Sequence, residues 1–243
     1  MFGRRGAWRL AVLVAALVCA VVVAGPSRAQ TADDTAALSA EAEKLYQAGK
    51  FVEAIEIAKR VLAIREKALG PEHPEVGTSL SDLALLYYAQ GRYAEAEPLV
   101  RRTIVILEKA LGPEHADVAE SLNNLAELYG AMGRYVEAEP LYRRSLSIRE
   151  KALGSEHPTV ASTLNKLGSL YQDQGRYVEA EPLFRRSLAI VEKALGPEHP
   201  AVGTTLNNLS LLYRAQGRTA EASRSLAAAS PSPRRRWGPS TPT

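Results

Sequence analysis

A six-residue phrase returns every 42 residues along this chain, and that period limits the possible fold more than any other feature. Leu69-Gly70-Pro71-Glu72-His73-Pro74 recurs from Leu111 as LGPEHA, from Leu153 as LGSEHP, and unchanged from Leu195. Gly-Arg-Tyr keeps the same interval at Gly91, Gly133 and Gly175, with Gly217-Arg218-Thr219 as an altered fourth copy. Self-similarity at a fixed period of roughly 20–50 residues marks units that cannot bury their apolar faces alone and must stack in series.

Apolar spacing predicts two helices in each unit. Over residues 76–90, Leu80, Leu83, Ala84 and Tyr87 fall at i, i+3, i+4 and i+7, one continuous helical face that Gly91 terminates. A second helix over 94–111 turns Ala96, Leu99, Val100, Thr103, Ile106 and Leu107 inward and stops at Gly112-Pro113. Pro98, Pro140 and Pro182 fall near the start of this second helix, where they are expected to bend the first turn rather than break it.

These positions resemble the tetratricopeptide repeat (TPR), and unit three carries the pattern best, in Leu125, Ala126, Tyr129, Gly133, Tyr135, Ala138 and Tyr142. The longer period, with NNLA, GRYxEAEPLYRR and LGPEHP as its phrases, is similar to the kinesin light chain type of that repeat. The resemblance runs over residues 35–222, as four good units and a degenerate first one that keeps Leu38, Ala42, Leu45, Gly49, Phe51 and Ala54. It implies an all-α fold, a right-handed superhelical solenoid of antiparallel helix pairs over residues 30–222, and a scaffold that binds a peptide or protein in its concave groove.

The ends differ from the array. Residues 1–29 place Arg4, Arg5 and Arg9 before an apolar run from Leu10 to Ala24, followed by a polar stretch with Ser27 and Ala29 at the −3 and −1 positions of a cut before Gln30. That order reads as a cleaved signal peptide and a secreted or periplasmic bacterial protein, with an uncleaved membrane anchor facing outside the cytoplasm as the alternative. Cys19, the single cysteine, lies in this run, so cleavage would leave no thiol for a disulfide or a nucleophile. At the other end the pattern departs at Ser223. Read one base out of frame, a GC-rich coding of EKALGPEHP gives RRRWGPSTP, which is Arg234 to Pro242, and Gly238 stands 42 residues after Gly196. Residues 223–243 are therefore expected to be a disordered, frame-shifted tail, and a truncated fragment without function is a further alternative. The gene tests this: an intact repeat in the neighbouring frame supports it, and its absence ends the idea.

Charge argues against nucleic acid as a partner. Setting aside the four arginines of residues 1–29 and the three at 234–236 turns the formal +3 into −4 over residues 30–229, where a basic stripe would be needed. A catalytic constellation would have to break the period, and every polar feature obeys it, so no enzyme activity and no cofactor are expected. His73, His115, His157 and His199 come one per repeat, so they cannot converge on a metal and read as loop-packing residues. Arg101-Arg102 and its copies, near Glu97, Glu139 and Glu181, read as surface pairs worth a few tenths of a kcal/mol each.

The resemblance assigns binding to the first helix of each pair. At one repeated position stand Ser39, Ser81, Asn123, Asn165 and Asn207, whose amides and hydroxyls could hold a peptide backbone without reading its sequence. Glu43, Tyr46, Tyr88, Glu127, Ser169, Gln172 and Arg214 vary between units, as selecting positions would. The peptide-binding set is therefore Asn123, Asn165, Asn207, Ser81, Tyr88, Glu127, Gln172 and Arg214. The competing reading gives the asparagines only a polar surface or a tie between repeats.

Overall fold

The computed structural model describes residues 28–229. Residues 1–27 of the expected signal segment and residues 230–243 of the expected tail lie outside the described residues. Among the described residues there are ten helices and no strand. None of those helices is long and apolar enough to cross a membrane. Two compact units divide between Gly70 and Pro71.

The first unit holds α1 (Arg28–Gln47) and α2 (Phe51–Leu69). Gly49 turns between them with φ +72°, and the Tyr46 and Phe51 rings meet edge to face across the turn, centroids 5.7 Å apart. Ala54, Ile55, Ala58 and Val61 are its buried apolar residues.

The second unit repeats one pair four times. Its A helices are α3 (Pro74–Ala89), α5 (Ala116–Ala131), α7 (Pro158–Asp173) and α9 (Pro200–Ala215). Its B helices are α4 (Tyr93–Leu111), α6 (Tyr135–Leu153), α8 (Tyr177–Leu195) and α10 (Thr219–Ala229). The predicted inward faces are the observed ones: Leu80, Leu83, Ala84 and Tyr87 are buried, as are Ala96, Val100, Thr103, Ile106 and Leu107. Helix α10 continues to Ala229, into the segment that the sequence assigns to a disordered tail. Residues 223–229 are rich in alanine, which sustains a helix even where the repeat pattern has gone.

Each residue of the recurring phrases has a local task. The histidine of LGPEHP caps the next helix: Nδ1 of His73, His115, His157 and His199 accepts from the backbone N–H two residues on, at 3.2 to 3.3 Å. This task is more specific than the expected loop packing. The proline after it occupies the first helical position of α3, α7 and α9, where no N–H is needed. At the far end of α3, Gly91 at φ +71° lets Arg92 N–H reach Tyr87 O (2.9 Å) and Gly91 N–H reach Tyr88 O (2.8 Å). Those two bonds satisfy carbonyls that the helix end would leave open. Helix α4 runs through Pro98 without interruption, although the ring removes one internal hydrogen bond.

A buried hydroxyl ties the two helices of a pair: Thr103, Ser145 and Ser187 donate to the carbonyls of Gly77, Ala119 and Ala161 at 3.2, 2.6 and 2.8 Å. The loop glutamates hold the end of the following B helix, Glu72 to Lys109, Glu114 to Lys151 (2.7 Å) and Glu156 to Lys193 (3.1 Å). Replacing His157 by alanine should cost about 0.5–1 kcal/mol, the low end of the range for a lost cap, given the long contact. His157→Asp should retain or exceed native stability in urea titration, since aspartate is a stronger cap. Equal losses in both variants would refute the capping role.

Candidate functional site

The residues that obey the period most strictly build a ladder between repeats. Glu97 on α4 accepts from Tyr129 Oη (2.9 Å) and from Arg134 Nη1 (2.7 Å), both in the next pair. Glu139 receives Tyr171 (3.0 Å) and Arg176 (2.6 Å) in the same way, and Glu181 receives Tyr213 (3.4 Å) and Arg218 (2.7 Å). Each arginine lies over the ring of its own tyrosine, with Arg134, Arg176 and Arg218 at 4.2, 4.0 and 4.4 Å from the centroids. Arg101 bonds both Glu97 (2.9 Å) and the Tyr129 hydroxyl, while Arg102 turns the other way to Pro71 O (3.1 Å). The paired arginines are thus more than the expected surface pairs: one grips the following repeat, the other the preceding loop.

Burial raises the Glu97 carboxyl, but the bonds from Arg101, Tyr129 and Arg134 outweigh it and hold it below the usual range. For Glu139 the Arg176 bond is the largest influence, and its carboxyl is also lowered. A carboxyl depressed in the fold stabilises fully above its unfolded value and loses that stabilisation as pH falls through the folded one. Stability in urea should therefore be level from pH 7 to 5 and decline below about pH 4.5, the ordinary glutamate value. Glu97→Gln with Glu139→Gln should be less stable at pH 7 and show a flatter acid limb; an unchanged limb would exclude these groups as its cause.

With the ladder assigned to packing, the exposed A-helix residues remain. Helix α5 approaches α7, and α7 approaches α9, which puts the A helices on the inner side of this unit. Side chains bridge them directly: Lys166 pairs with Glu127, and Asn208 Nδ2 donates to Asn165 Oδ1 (3.2 Å).

The asparagines do not form one continuous lining. Asn123 is 4% exposed and its Oδ1 has no partner among the described residues. Asn165 is half-buried and engaged with Asn208, and only Asn207 is exposed. Asn165 therefore fits the tie between repeats, and Asn123 sits below the surface that a guest could touch.

Three of the other expected residues meet. Ser81, Tyr88 and Glu127 line one cavity of about 330 Å³ between α3 and α5. Gln172, half-buried, and Arg214, exposed, belong to later repeats. Ser39 is half-buried and Glu43 is exposed in the first unit, where Glu43 accepts from Gln47 (2.6 Å). Ser169 turns its hydroxyl back to Asn165 O (3.1 Å).

Sequence reasoning missed Asp82, Leu85, Glu120 and Asn124 on the walls of the same cavity. One residue further along the A helices stand Asp82 and Asn124, both exposed, and Lys166 and Asn208, both half-buried. A second presented row is Leu85, Glu127, Ser169 and Leu211, in which Leu85 and Leu211 are 50% and 43% exposed. Among the described residues no group of His, Cys, Asp or Glu could hold a metal ion.

A stack of helix pairs with a varied inner face defines an interaction scaffold, a fold type that works by binding. The sequence profile described as Tetratricopeptide repeat matches residues 34–109, 88–151, 117–186 and 159–232. The chain therefore belongs to the tetratricopeptide repeat family, in its kinesin light chain-like form, and its fold is an all-α TPR superhelix. Similar solved structures include the nearly identical TPR-like repeats of a protein designated kinesin light chain in Podosopora anserina. That protein is 33% identical, with 85% of this chain and 95% of that one covered at a TM-score of 0.71. BtubC (BKLC) from P. vanneervenii is 26% identical at a TM-score of 0.74, over 84% of this chain and 81% of its own. The apo form of RapI, 15% identical with a TM-score of 0.70 over 81% and 69%, is similar in fold alone. No curated protein matches the sequence.

Proposed function

We propose that this chain is an exported scaffold that holds a protein partner, as an extended or short helical segment, along the A-helix face of residues 71–229, without catalysing a reaction on it. What carries the reading is the contrast between constancy and variation within the repeat. Capping histidine, ladder tyrosine, ladder glutamate and ladder arginine recur in copy after copy, whereas the inner position occupied by Leu85, Glu127, Ser169 and Leu211 changes at every step. Packing alone would favour one residue there, because each copy meets the same neighbours; selective contact with an irregular guest favours variation, and three different residues occur. Two exposed leucines on that face add apolar surface of the kind a partner covers.

Partner capture with the purified chain tests the reading. Leu85→Arg with Leu211→Arg, at exposed positions, should leave the circular dichroism unchanged and release the bound proteins. A folded double variant that retains all of them would refute the inner face as the site. Export has its own test: mass spectrometry should place the mature N-terminus at Gln30. A membrane-bound chain retaining residues 1–29 would instead make it an anchored scaffold.

A further inference from the structure

Resting on the inner-face reading, we propose that the cavity over Val100 is a specificity pocket that takes one bulky apolar side chain from a lysine- or arginine-bearing peptide segment. The cavity lies where this copy carries a smaller residue at its floor than the two copies that follow it. At the position of Val100 the next two pairs carry Tyr142 and Phe184, buried to 4% and 0% exposure. A ring built on the same Cβ extends over the space that Val100 leaves open, beside Ala84, Ala96 and Leu128. An apolar guest side chain supplies what the chain's own ring supplies in the next two copies.

The rim sets the charge of the guest. Asp82, Glu120 and Glu127 stand around the opening with Tyr88, and the array as a whole is acidic. Lys166 pairs with Glu127, a contact that a cationic guest could exchange. Burial and then Glu127 raise the hydroxyls of both Tyr88 and Tyr142, which marks this region as electronegative and incompletely hydrated. Such a wall disfavours an acidic segment and favours a basic one, because the long aliphatic stems of lysine and arginine can lie on the apolar surface with their charges at the rim.

Fluorescence anisotropy with three labelled peptides tests this on the full chain: a leucine or phenylalanine anchor flanked by lysines, the same anchor flanked by glutamates, and an alanine in place of the anchor between lysines. The first should bind about tenfold or more tighter than either of the others, with affinity falling as salt is raised. Val100→Tyr installs the neighbouring copy's own residue. It should keep the melting temperature and remove the anchor preference, while Glu120→Gln with Glu127→Gln should remove the preference for lysine flanks. Equal or tighter binding of the glutamate-flanked peptide would overturn the proposal, as would unchanged binding to the folded Val100→Tyr chain. If Val100→Tyr does not fold, unchanged charge preference in the glutamine variant overturns it. Peptide binding lost in Leu211→Arg but kept in Val100→Tyr would sink the pocket and leave the inner-face reading standing. No binding by any peptide, together with failed partner capture, would end both.

Discussion

Truncating Phe184 to alanine should lower the unfolding free energy by about 3–5 kcal/mol, the range for deleting a large ring from a packed interior. Its exposure is 0%, and its ring lies against Gly168 on α7: a Cβ built there would stand 2.8 Å from Cε1 and 3.0 Å from Cδ1. Alanine for glycine inside a helix ordinarily gains about 1 kcal/mol. Here about 1–3 kcal/mol of overpacking opposes it, so Gly168→Ala should be destabilising. Adding Phe184→Leu to that variant should recover part of the loss, a non-additivity expected of touching residues. Urea denaturation of the two single variants and the double reads all three values. Ordinary stabilisation by Gly168→Ala alone would show that the ring moves freely, contrary to the packing described.

The second large effect belongs to the ladder. Tyr171 is 4% exposed, and its hydroxyl lies between Arg143 (2.8 Å) and Glu139 (3.0 Å) while its face carries Arg176. Tyr171→Ala should cost about 3–5 kcal/mol, since it removes the ring as well as the bond. Tyr171→Phe should cost about 1 kcal/mol, because Arg143 and Glu139 remain 2.8 Å apart and can still pair. Similar losses in the two variants would mean that the hydroxyl, not the ring, holds the junction.

Most of the fold was legible because the period made each helix visible several times. The predicted limits of 76–90 and 94–111 differ from the observed Pro74–Ala89 and Tyr93–Leu111 by at most two residues. The difference at the start has a cause: Pro74 reads as loop, yet the first helical position has no use for an N–H. The ladder was hidden for the opposite reason. Glu97 meets Tyr129 and Arg134 at separations of 32 and 37 residues, beyond any local spacing rule. Its signal was the recurrence of the three residues together at 42-residue spacing, Glu97, Glu139 and Glu181 each with its tyrosine and arginine in the next pair. The inner face was legible only in part, because at about 100° per residue neighbouring positions on an A helix divide between buried and presented. Asn123 and Asn124 show the division within one dipeptide, the first buried and the second on the cavity wall. Val100 could have drawn notice because the same position holds a ring in the next two copies, at Tyr142 and Phe184.

The ladder also gives the array a polarity, like that of a monomer with two different ends. The modules carrying Glu97, Glu139 and Glu181 each offer a carboxylate downstream to a ring-stacked cation of the next, so copies couple head to tail. Duplication of one module in frame would create a correct junction on both sides with no further mutation. At Ser223 this grammar stops: the position equivalent to Glu97, Glu139 and Glu181 carries a hydroxyl, and an added module would find no anion there to grip.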